Sequence, residues 1–236
     1  MTQDFTDDMR AKLIAYLETH DLPSGLGDEE SACTLAAIRL AYDGELNDNI
    51  IDCMSPVLGK AAMRLQDAMP DDMRNSTRYK NLIPNMPGTG REREAERLAI
   101  LMDWMWTVVL PQLQPTADKC GYGAEWRHMC ETKTAAAANA AAAAAYYADA
   151  SAAAANAAAA AYYADASAAY ASADASAAYA SADASDASAA YGSAASAAAY
   201  ASAASAAASA DASAFWEAVD PIGVLERMTY LEVGND

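Results

Sequence analysis

The sequence predicts an all-α protein, and three observations support this fold class. Apolar residues recur at helical spacing on both sides of a long central stretch, and capping residues stand at the starts of these segments. The central stretch, Ala135–Ala214, consists of Ala, Ser, Tyr, Asp and Asn with a single Gly192, and Ala has the highest helix propensity. Strand signals are nearly absent.

Helix starts before the central stretch are marked by particular residues. Thr6 suits an N-cap, the acidic run Asp28-Glu29-Glu30 suits the start of a second helix, and Ser55-Pro56 suits the start of a third. Pro70 stops the third helix, and Pro111 ends or kinks the last one. The predicted helices are Asp7–Thr19, Ser31–Tyr42, Met54–Met69, Asp71–Ile83 and Arg91–Leu110. The first should place four apolar residues on one face: Met9, Leu13, Ile14 and Leu17.

Glycine and proline mark the remaining elements. Leu22–Gly27 and Pro84–Gly90 are predicted loops, and Gly121–Gly123 breaks the chain again. We expect a helix from Ala124 that runs on into the Ala-rich stretch. Asp220-Pro221 is a cap followed by proline and predicts a closing helix over Ile222–Leu231.

The central stretch is a tract of near-identical repeats. Ala135–Ser151 and Ala152–Ser167 differ by one Ala, and the nonamer AAYASADAS follows twice, at Ala168–Ser176 and Ala177–Ser185. Helix, a silk-like strand of period two, and disorder are the three alternatives, and Ala favours helix. Because the Tyr residues point in all directions on a helical wheel, we expect packed helices that fold back rather than a coiled coil. The expected breaks are Asp149–Ser151, Asp165–Ser167, Ser181–Ser188 and Gly192-Ser193.

Composition therefore divides the chain into three predicted segments. Residues 1–134 form a globular helical block, residues 135–214 form the low-complexity tract, and residues 215–236 form a C-terminal helix that packs on the rest.

Charge narrows the range of partners. The chain has 15 basic and 33 acidic residues and a net charge of −18. Nucleic acid and anionic membranes repel such a chain, so we expect neither as a partner, whereas a protein partner of unknown identity is compatible with it. The polar start Met1-Thr2-Gln3-Asp4 is unlike a signal peptide, and the most apolar run, Leu98–Leu110, is too short to span a bilayer. The four cysteines, irregularly spaced, indicate reduced thiols and a cytoplasmic protein.

Two clusters could hold a ligand, and the sequence disfavours both. Cys120, His128 and Cys130 offer soft metal ligands, but without a C-x-x-C pair the expectation is small buried thiols beside a surface histidine. Gly88-Thr89-Gly90-Arg91 precedes a helix and could hold an anion, but it lacks the P-loop pattern. A tight turn with Thr89 or Gly90 as cap is expected there.

The remaining polar and aromatic candidates also have structural interpretations. Trp104, Trp106 and Trp126 are expected in the core. Glu92 and Glu96 are expected on a solvated face with three arginines as partners: Arg91, Arg93 and Arg97. The tract has no His that could complete a nucleophilic triad. We therefore predict no catalytic, cofactor-binding or metal-binding residue, no cofactor, and a protein that is not an enzyme.

Three segments carry a resemblance to a known group of proteins. LNDNIIDCMSPVLGKAAMRLQDAMPDDMRNS at Leu46–Ser76, GTGREREAERLAILMDWMWTVVLPQLQP at Gly88–Pro115 and FWEAVDPIGVLERM at Phe215–Met228 resemble uncharacterised alanine-rich proteins of phage or prophage type. Those proteins have a similar N-terminal block, an Ala-rich tract of variable length and a short closing helix. The resemblance implies an all-α fold and a phage or bacterial origin, and it implies no activity. The tract differs from that pattern in lacking Arg, Lys and Trp.

Three function classes follow. The favoured one is a non-enzymatic α-helical scaffold or interaction protein, in which residues 1–134 recognise a partner and the tract is a spacer. An ice-binding protein is the second, although the tract has no Thr and its nine-residue step turns successive copies to opposite sides. An acidic DNA-mimic inhibitor is the third, although its carboxylates are sparse, at Asp149, Asp165, Asp174, Asp183, Asp186 and Asp211.

Overall fold

A computed structural model of the chain describes residues 4–148 and 212–231. These residues form an all-α structure in which the only strand-like feature is an antiparallel bridge between Gly27 and Ala32. The helices are α1 (Asp7–Thr19), α2 (Thr34–Tyr42), α3 (Pro56–Ala68), α4 (Asp71–Arg74), α5 (Thr77–Leu82), α6 (Glu94–Trp104), α7 (Gln114–Lys119), α8 (Gly123–Thr132), α9 (Ala135–Ala148), α10 (Ala212–Val219) and α11 (Pro221–Thr229). The all-α prediction is confirmed.

The chain divides into two compact units. The first comprises Met1–Arg97 together with Pro221–Asp236, and the second comprises Leu98–Asp220. The first unit is therefore built from two segments that are far apart in sequence. The three segments predicted from composition, with limits at residues 134 and 214, remain predictions.

Helix α1 has the predicted bounds and the predicted cap. The Thr6 hydroxyl accepts a hydrogen bond from the Met9 amide at 3.3 Å, which satisfies one of the unpaired amides of the first turn. Leu13 and Leu17 are buried in the core of the first unit, but Ile14 is 41% exposed. The prediction that Ile14 shares the core face is therefore wrong.

Helix α2 starts three residues later than predicted. The Asp28 carboxylate accepts hydrogen bonds from the amides of Glu30 and Ser31, at 3.0 and 2.8 Å, and closes a turn. This turn leads into the bridge at Ala32, so the acidic run does not form a first helical turn. Cys33 becomes the N-cap instead, with its sulfur facing the Ala36 amide.

Helix α3 begins as predicted, with Ser55 as its cap and Pro56 in its first turn. The single helix predicted over Asp71–Ile83 is instead two short helices, α4 and α5, followed by a 3-10 turn at Ile83–Asn85. Ser76 causes the break because its hydroxyl caps α5 by accepting from the Tyr79 amide at 3.3 Å.

Helix α6 starts at Glu94 rather than at Arg91, and its helical geometry changes before Pro111. A π-helical segment, Met105–Val109, is followed by a 3-10 segment, Leu110–Leu113. The Leu110 amide bonds to the Met105 carbonyl, five residues back. Because proline has no amide hydrogen and crowds the carbonyl four residues before it, a wider turn ahead of Pro111 accommodates the ring. The predicted kink is thus a change of helix type.

The first residues of the tract, Ala135–Ala148, belong to the second unit and are the part of the tract's beginning that the structure describes. Helix α8 ends at Thr132, and its C-cap, Lys133, has a left-handed φ of 52°, so α8 does not run into the tract as predicted. Helix α9 begins afresh and packs on α8 through buried Ala137, Ala138, Ala141 and Ala145. The helix prediction is confirmed for Ala135–Ala148. The later repeats, the predicted breaks and the predicted folding-back lie outside the described residues.

Two helices follow the tract. In the second unit, α10 packs on the π-helical and 3-10 segments, and the Trp104 indole donates to the Val219 carbonyl at 2.6 Å. In the first unit, α11 packs on α3 and α5. It starts at Pro221, one residue before the predicted Ile222, with proline in its first turn as expected, and it ends two residues before the predicted Leu231.

Within the ranges that the structure describes, every helix is too short or too polar to cross a membrane.

Candidate functional site

The loop before α6 is a tight turn in which two glycine amides and the threonine hydroxyl donate to backbone carbonyls. The amides of Gly88 and Gly90, with φ values of 87° and 60°, both donate to the Cys53 carbonyl, at 3.0 and 3.1 Å. The Thr89 hydroxyl donates to the Met86 carbonyl and accepts from the Ser55 amide. The expected tight turn is present, but the expectation that Thr89 or Gly90 caps the helix is wrong, because α6 begins at Glu94, four residues after Gly90. The cleft beside it, of about 580 Å³, is lined by Arg91 and by three carboxylates, Asp4, Asp52 and Glu92, which disfavours an anion.

The arginines after this loop do not all lie on a solvated face, and this part of the prediction is wrong. Arg97 is 3% exposed and donates to the carboxylate of Glu94 at 3.1 Å. Its guanidinium also donates to the carbonyls of Thr89, Gly90 and Met228 at 2.7, 3.4 and 3.1 Å. The second carboxylate oxygen of Glu94 accepts from the Val57 amide, at the start of α3. By contrast, Arg93 and Glu96 form the expected surface pair.

This buried pair could have been predicted if the start of the helix had been known. With Glu94 in the first turn, Arg97, Leu101 and Met105 follow it at helical spacing. Both charged residues then share a face with core residues. In a helix predicted to start at Arg91, the same residues appear only as a run of alternating charges.

Cys120, His128 and Cys130 are not assembled into a ligand set. Cys120 caps the end of α7, while His128 is exposed on α8 and Cys130 is half-buried. Burial, helped by Glu131, raises the pKa of the Cys130 thiol to about 11, so this thiol is protonated at neutral pH. No group of three or more His, Cys, Asp or Glu residues in the described ranges could hold a metal ion.

The tryptophans lie in the core, as expected. Trp126 is fully buried and donates to the Leu110 carbonyl at 2.9 Å, and Trp104 and Trp106 are also buried. Tyr122 packs edge-on against Trp126 and is 1% exposed. Its hydroxyl has no hydrogen-bond partner among the described residues, and burial raises the pKa of this phenol to about 12.

The strongest candidate site is a groove in the first unit, between α1 on one side and α5 with its following 3-10 turn on the other. Its volume is about 440 Å³. Ile14, Leu17 and Pro84 supply its apolar surface. Its polar lining consists of Arg10, Glu18, Asn75, Thr77, Lys80, Asn81 and Asn85.

Several of the polar residues are held in place by their own hydrogen bonds. Lys80 donates to the His20 carbonyl at 2.8 Å and to Asp21 at 3.2 Å, and Asn85 donates to the Asn81 carbonyl at 3.0 Å. The groove therefore has a preformed polar rim around an exposed aliphatic side chain. Such a surface can accept an apolar side chain of a partner and orient it by hydrogen bonds.

The apolar spacing of α1 does not predict this groove, because it places Ile14 on the same face as Leu13 and Leu17. A signal was present: Arg10, Ile14 and Glu18 follow one another at four-residue spacing and share one face of α1. An aliphatic residue between two charged ones on that face indicates a surface position.

Comparisons with protein-family models, with curated proteins and with solved structures give no match for this chain. The residues on which the ice-binding and DNA-mimic alternatives depend lie in the tract, between Asp149 and Asp211, outside the described residues.

Proposed function

We propose that the protein is a non-enzymatic α-helical scaffold or interaction protein of phage or bacterial origin, which acts in the cytoplasm by binding another protein. The groove between α1 and α5 is the observation that carries this proposal. The phage or bacterial origin rests on the resemblance of the segments on either side of the tract.

The groove combines an exposed apolar side chain with a polar rim, which are the two features of a small protein interface. Ile14 keeps 41% of its surface exposed, although the groove walls around it include buried Leu17 and Pro84. Full burial of such a side chain contributes about 1.5–3 kcal/mol, so covering the exposed part of Ile14 favours association. The amide and charged side chains around it form the polar rim that gives a contact its orientation.

The partner is best described as a protein. A net charge of −18 opposes binding to nucleic acid and to anionic membranes. The buried polar side chains of the first unit serve its own backbone: Arg74, for example, donates to the carbonyls of Leu22, Gln66 and Met69, each at 3.0 Å. These hydrogen bonds stabilise the fold, and this use of the buried polar groups supports a non-enzymatic role.

The test uses the full chain, because α11 belongs to the same unit as residues 4–97. Immobilised parent protein is compared with Ile14→Glu and with Leu26→Glu in capture from a bacterial lysate. Leu26 is a matched control because it is also 41% exposed and does not line the groove. Thermal melts establish that both variants remain folded.

We expect the parent and Leu26→Glu to capture the same protein and Ile14→Glu to lose it. Capture of that protein by all three chains would contradict the role of the groove. Absence of any captured protein that survives competition with soluble parent would contradict the proposed function itself.

A further inference from the structure

The α1 wall of the groove presents its side chains in a regular order. Arg10, Ile14 and Glu18 all line the groove and follow one another at four-residue spacing. Successive members of this row are therefore about 6 Å apart along the helix axis. A ligand in the groove meets a cation, then an aliphatic side chain, then a carboxylate.

The two charges of this row have no opposite charge of their own. The Arg10 guanidinium lies over the ring of Phe5, 5.7 Å from the ring centroid, and neither Arg10 nor Glu18 forms an ion pair within the described residues. Lys80, on the opposite wall, is by contrast already paired with Asp21. Charge complementarity therefore favours a segment that carries a carboxylate at one end, a cation at the other and an apolar side chain between them.

The opposite wall presents uncharged hydrogen-bonding side chains. Thr77 and Asn81 of α5 and Asn85 of the following 3-10 turn also stand at four-residue spacing, and all three are exposed. Asn85 donates to the Asn81 carbonyl, but the side chains of Thr77 and Asn81 make no hydrogen bond within the described ranges. A hydroxyl and an amide can each donate and accept, as a peptide group does.

An extended peptide segment matches both walls. Every second side chain of an extended chain lies on the same face, at intervals of about 6.7 Å, which is close to the spacing of the row on α1. The edge of such a chain also carries unpaired N–H and C=O groups, which Thr77 and Asn81 can bind. A helix would pair these groups within itself and leave both side chains without a main-chain partner.

We propose that the groove binds an extended segment of the partner protein with the order acidic, any residue, large apolar, any residue, basic. The acidic side chain pairs with Arg10, the apolar one covers Ile14, and the basic one pairs with Glu18. The reversed order fits as well, because an extended chain can lie in the groove in either direction. This inference rests on the proposed function and specifies the segment that the protein recognises.

Three fluorescently tagged peptides test this order: GESLSKG, GESLSEG and GKSLSKG. Each is titrated with the full chain in about 0.1 M salt and followed by anisotropy, because close ion pairs persist there while distant charges are screened. Arg10→Glu should move the preference from GESLSKG toward GKSLSKG, and Glu18→Arg should move it toward GESLSEG. We expect each reversal to change the ratio of the two affinities by roughly two- to fivefold.

The net charge of −18 attracts basic peptides to any part of the chain, so each reversal needs a control of equal charge. Lys12→Glu is the control for Arg10→Glu, and Glu29→Arg is the control for Glu18→Arg. Lys12 and Glu29 are exposed in the first unit and do not line the groove. Both controls should keep the preference of the parent, and thermal melts establish that all variants are folded.

Equal changes in a groove variant and its control would overturn the proposal, and so would failure of all three peptides to bind. Stronger binding of the helical peptide EAAALAAAK, which has the same three side chains at four-residue spacing, would overturn the extended conformation. Capture from lysate that depends on Ile14, without these changes in preference, would uphold the proposed function and overturn this inference alone. Changes in preference that follow the charges, without any captured protein, would contradict the proposed function alone.

Discussion

The guanidinium of Arg97 donates a hydrogen bond to the backbone carbonyl of Met228 at 3.1 Å, across 131 residues of sequence. The same guanidinium binds Glu94 and the two carbonyls of the loop before α6. One buried cation thus joins the loop, the start of α6 and the end of α11. Glu94 extends this network to the first turn of α3 through the Val57 amide.

Replacement of Arg97 should therefore destabilise the first unit strongly. Arg97→Ala leaves the Glu94 carboxylate buried without its cation, and loss of one partner of a buried ion pair costs about 3–5 kcal/mol. Arg93→Ala, which removes a surface ion pair and one hydrogen bond to the Leu231 carbonyl, should cost less than Arg97→Ala. The measurement is urea denaturation. If Arg97→Ala lies within about 1 kcal/mol of the parent, the network does not stabilise the fold.

The burial of the paired charge can be separated from the loss of packing. The double variant Glu94→Gln/Arg97→Met removes both charges and keeps most of the volume. It should be more stable than Arg97→Met, which keeps the same volume but leaves the buried Glu94 carboxylate without its cation, in the same denaturation experiment. Equal stability of these two variants would show that the unpaired charge does not cause the loss.

Adjacent residues of α1 should respond very differently to truncation. Leu13 is fully buried, so Leu13→Ala should cost about 2–5 kcal/mol. Ile14 faces the groove, and Ile14→Ala should change the free energy of unfolding by less than about 1 kcal/mol. Both values are read from chemical denaturation monitored by circular dichroism. Similar losses for the two variants would place Ile14 in the core after all.

Removal of two buried tyrosine hydroxyls should change the stability of the protein in opposite directions. The Tyr122 hydroxyl is buried without a partner among the described residues, so Tyr122→Phe should stabilise the protein by about 1 kcal/mol. The hydroxyl of Tyr79, also fully buried, pairs with that of Thr34 at 2.9 Å. Tyr79→Phe should destabilise the protein by a similar amount, because Thr34 loses its partner. A lower melting temperature for Tyr122→Phe would show that its hydroxyl is satisfied.

Because of Cys130, the free energy of unfolding should fall as the pH rises through the alkaline range. Its thiol has a pKa of about 11 in the folded protein, against an ordinary value of 9.0, because burial disfavours the thiolate. Below pH 9 the thiol is protonated in both states, and its contribution is fully present. Between pH 9 and 11 only the unfolded chain loses the proton, so stability falls as pH rises. Cys130→Ala should show a smaller fall over this range, and an identical profile would contradict the buried thiol.

Local signals predicted the helices well where a cap and a periodic apolar pattern agree. Thr6, Ser55-Pro56 and Asp220-Pro221 each stand at an observed helix start. The Thr6 and Ser55 side chains each accept from a backbone amide three residues later, so the neighbouring sequence contains the cause of these two starts.

Local signals failed where two neighbouring structures compete for the same residues. Asp28 closes a turn instead of opening α2, and Ser76 caps a new helix within a segment that has helical periodicity throughout. Both side chains can hydrogen-bond to the backbone in either arrangement. The choice between the arrangements depends on packing that a short window of sequence does not contain.

The burial or exposure of the residues at the candidate sites depends mostly on residues that are distant in sequence. The burial of Arg97 requires α11, which is more than a hundred residues away, and the exposure of Ile14 depends on how far α5 covers α1. From residue type alone, Arg97 is expected at the surface and Ile14 in the core. The structure shows the reverse for both residues. The polar rim of the groove could not be predicted either, because its members come from two separate segments.

The two-segment construction of the first unit has a consequence for protein synthesis. Met228 leaves the ribosome 131 residues after Arg97, which at common elongation rates is a delay of about 7–26 s. During that interval the site of α11 is empty. A shift of reading frame within the intervening repeats would replace Ile222, Val224, Leu225 and Met228 together. The first unit can therefore be completed by α11 only when translation has passed through the repeats in the correct frame.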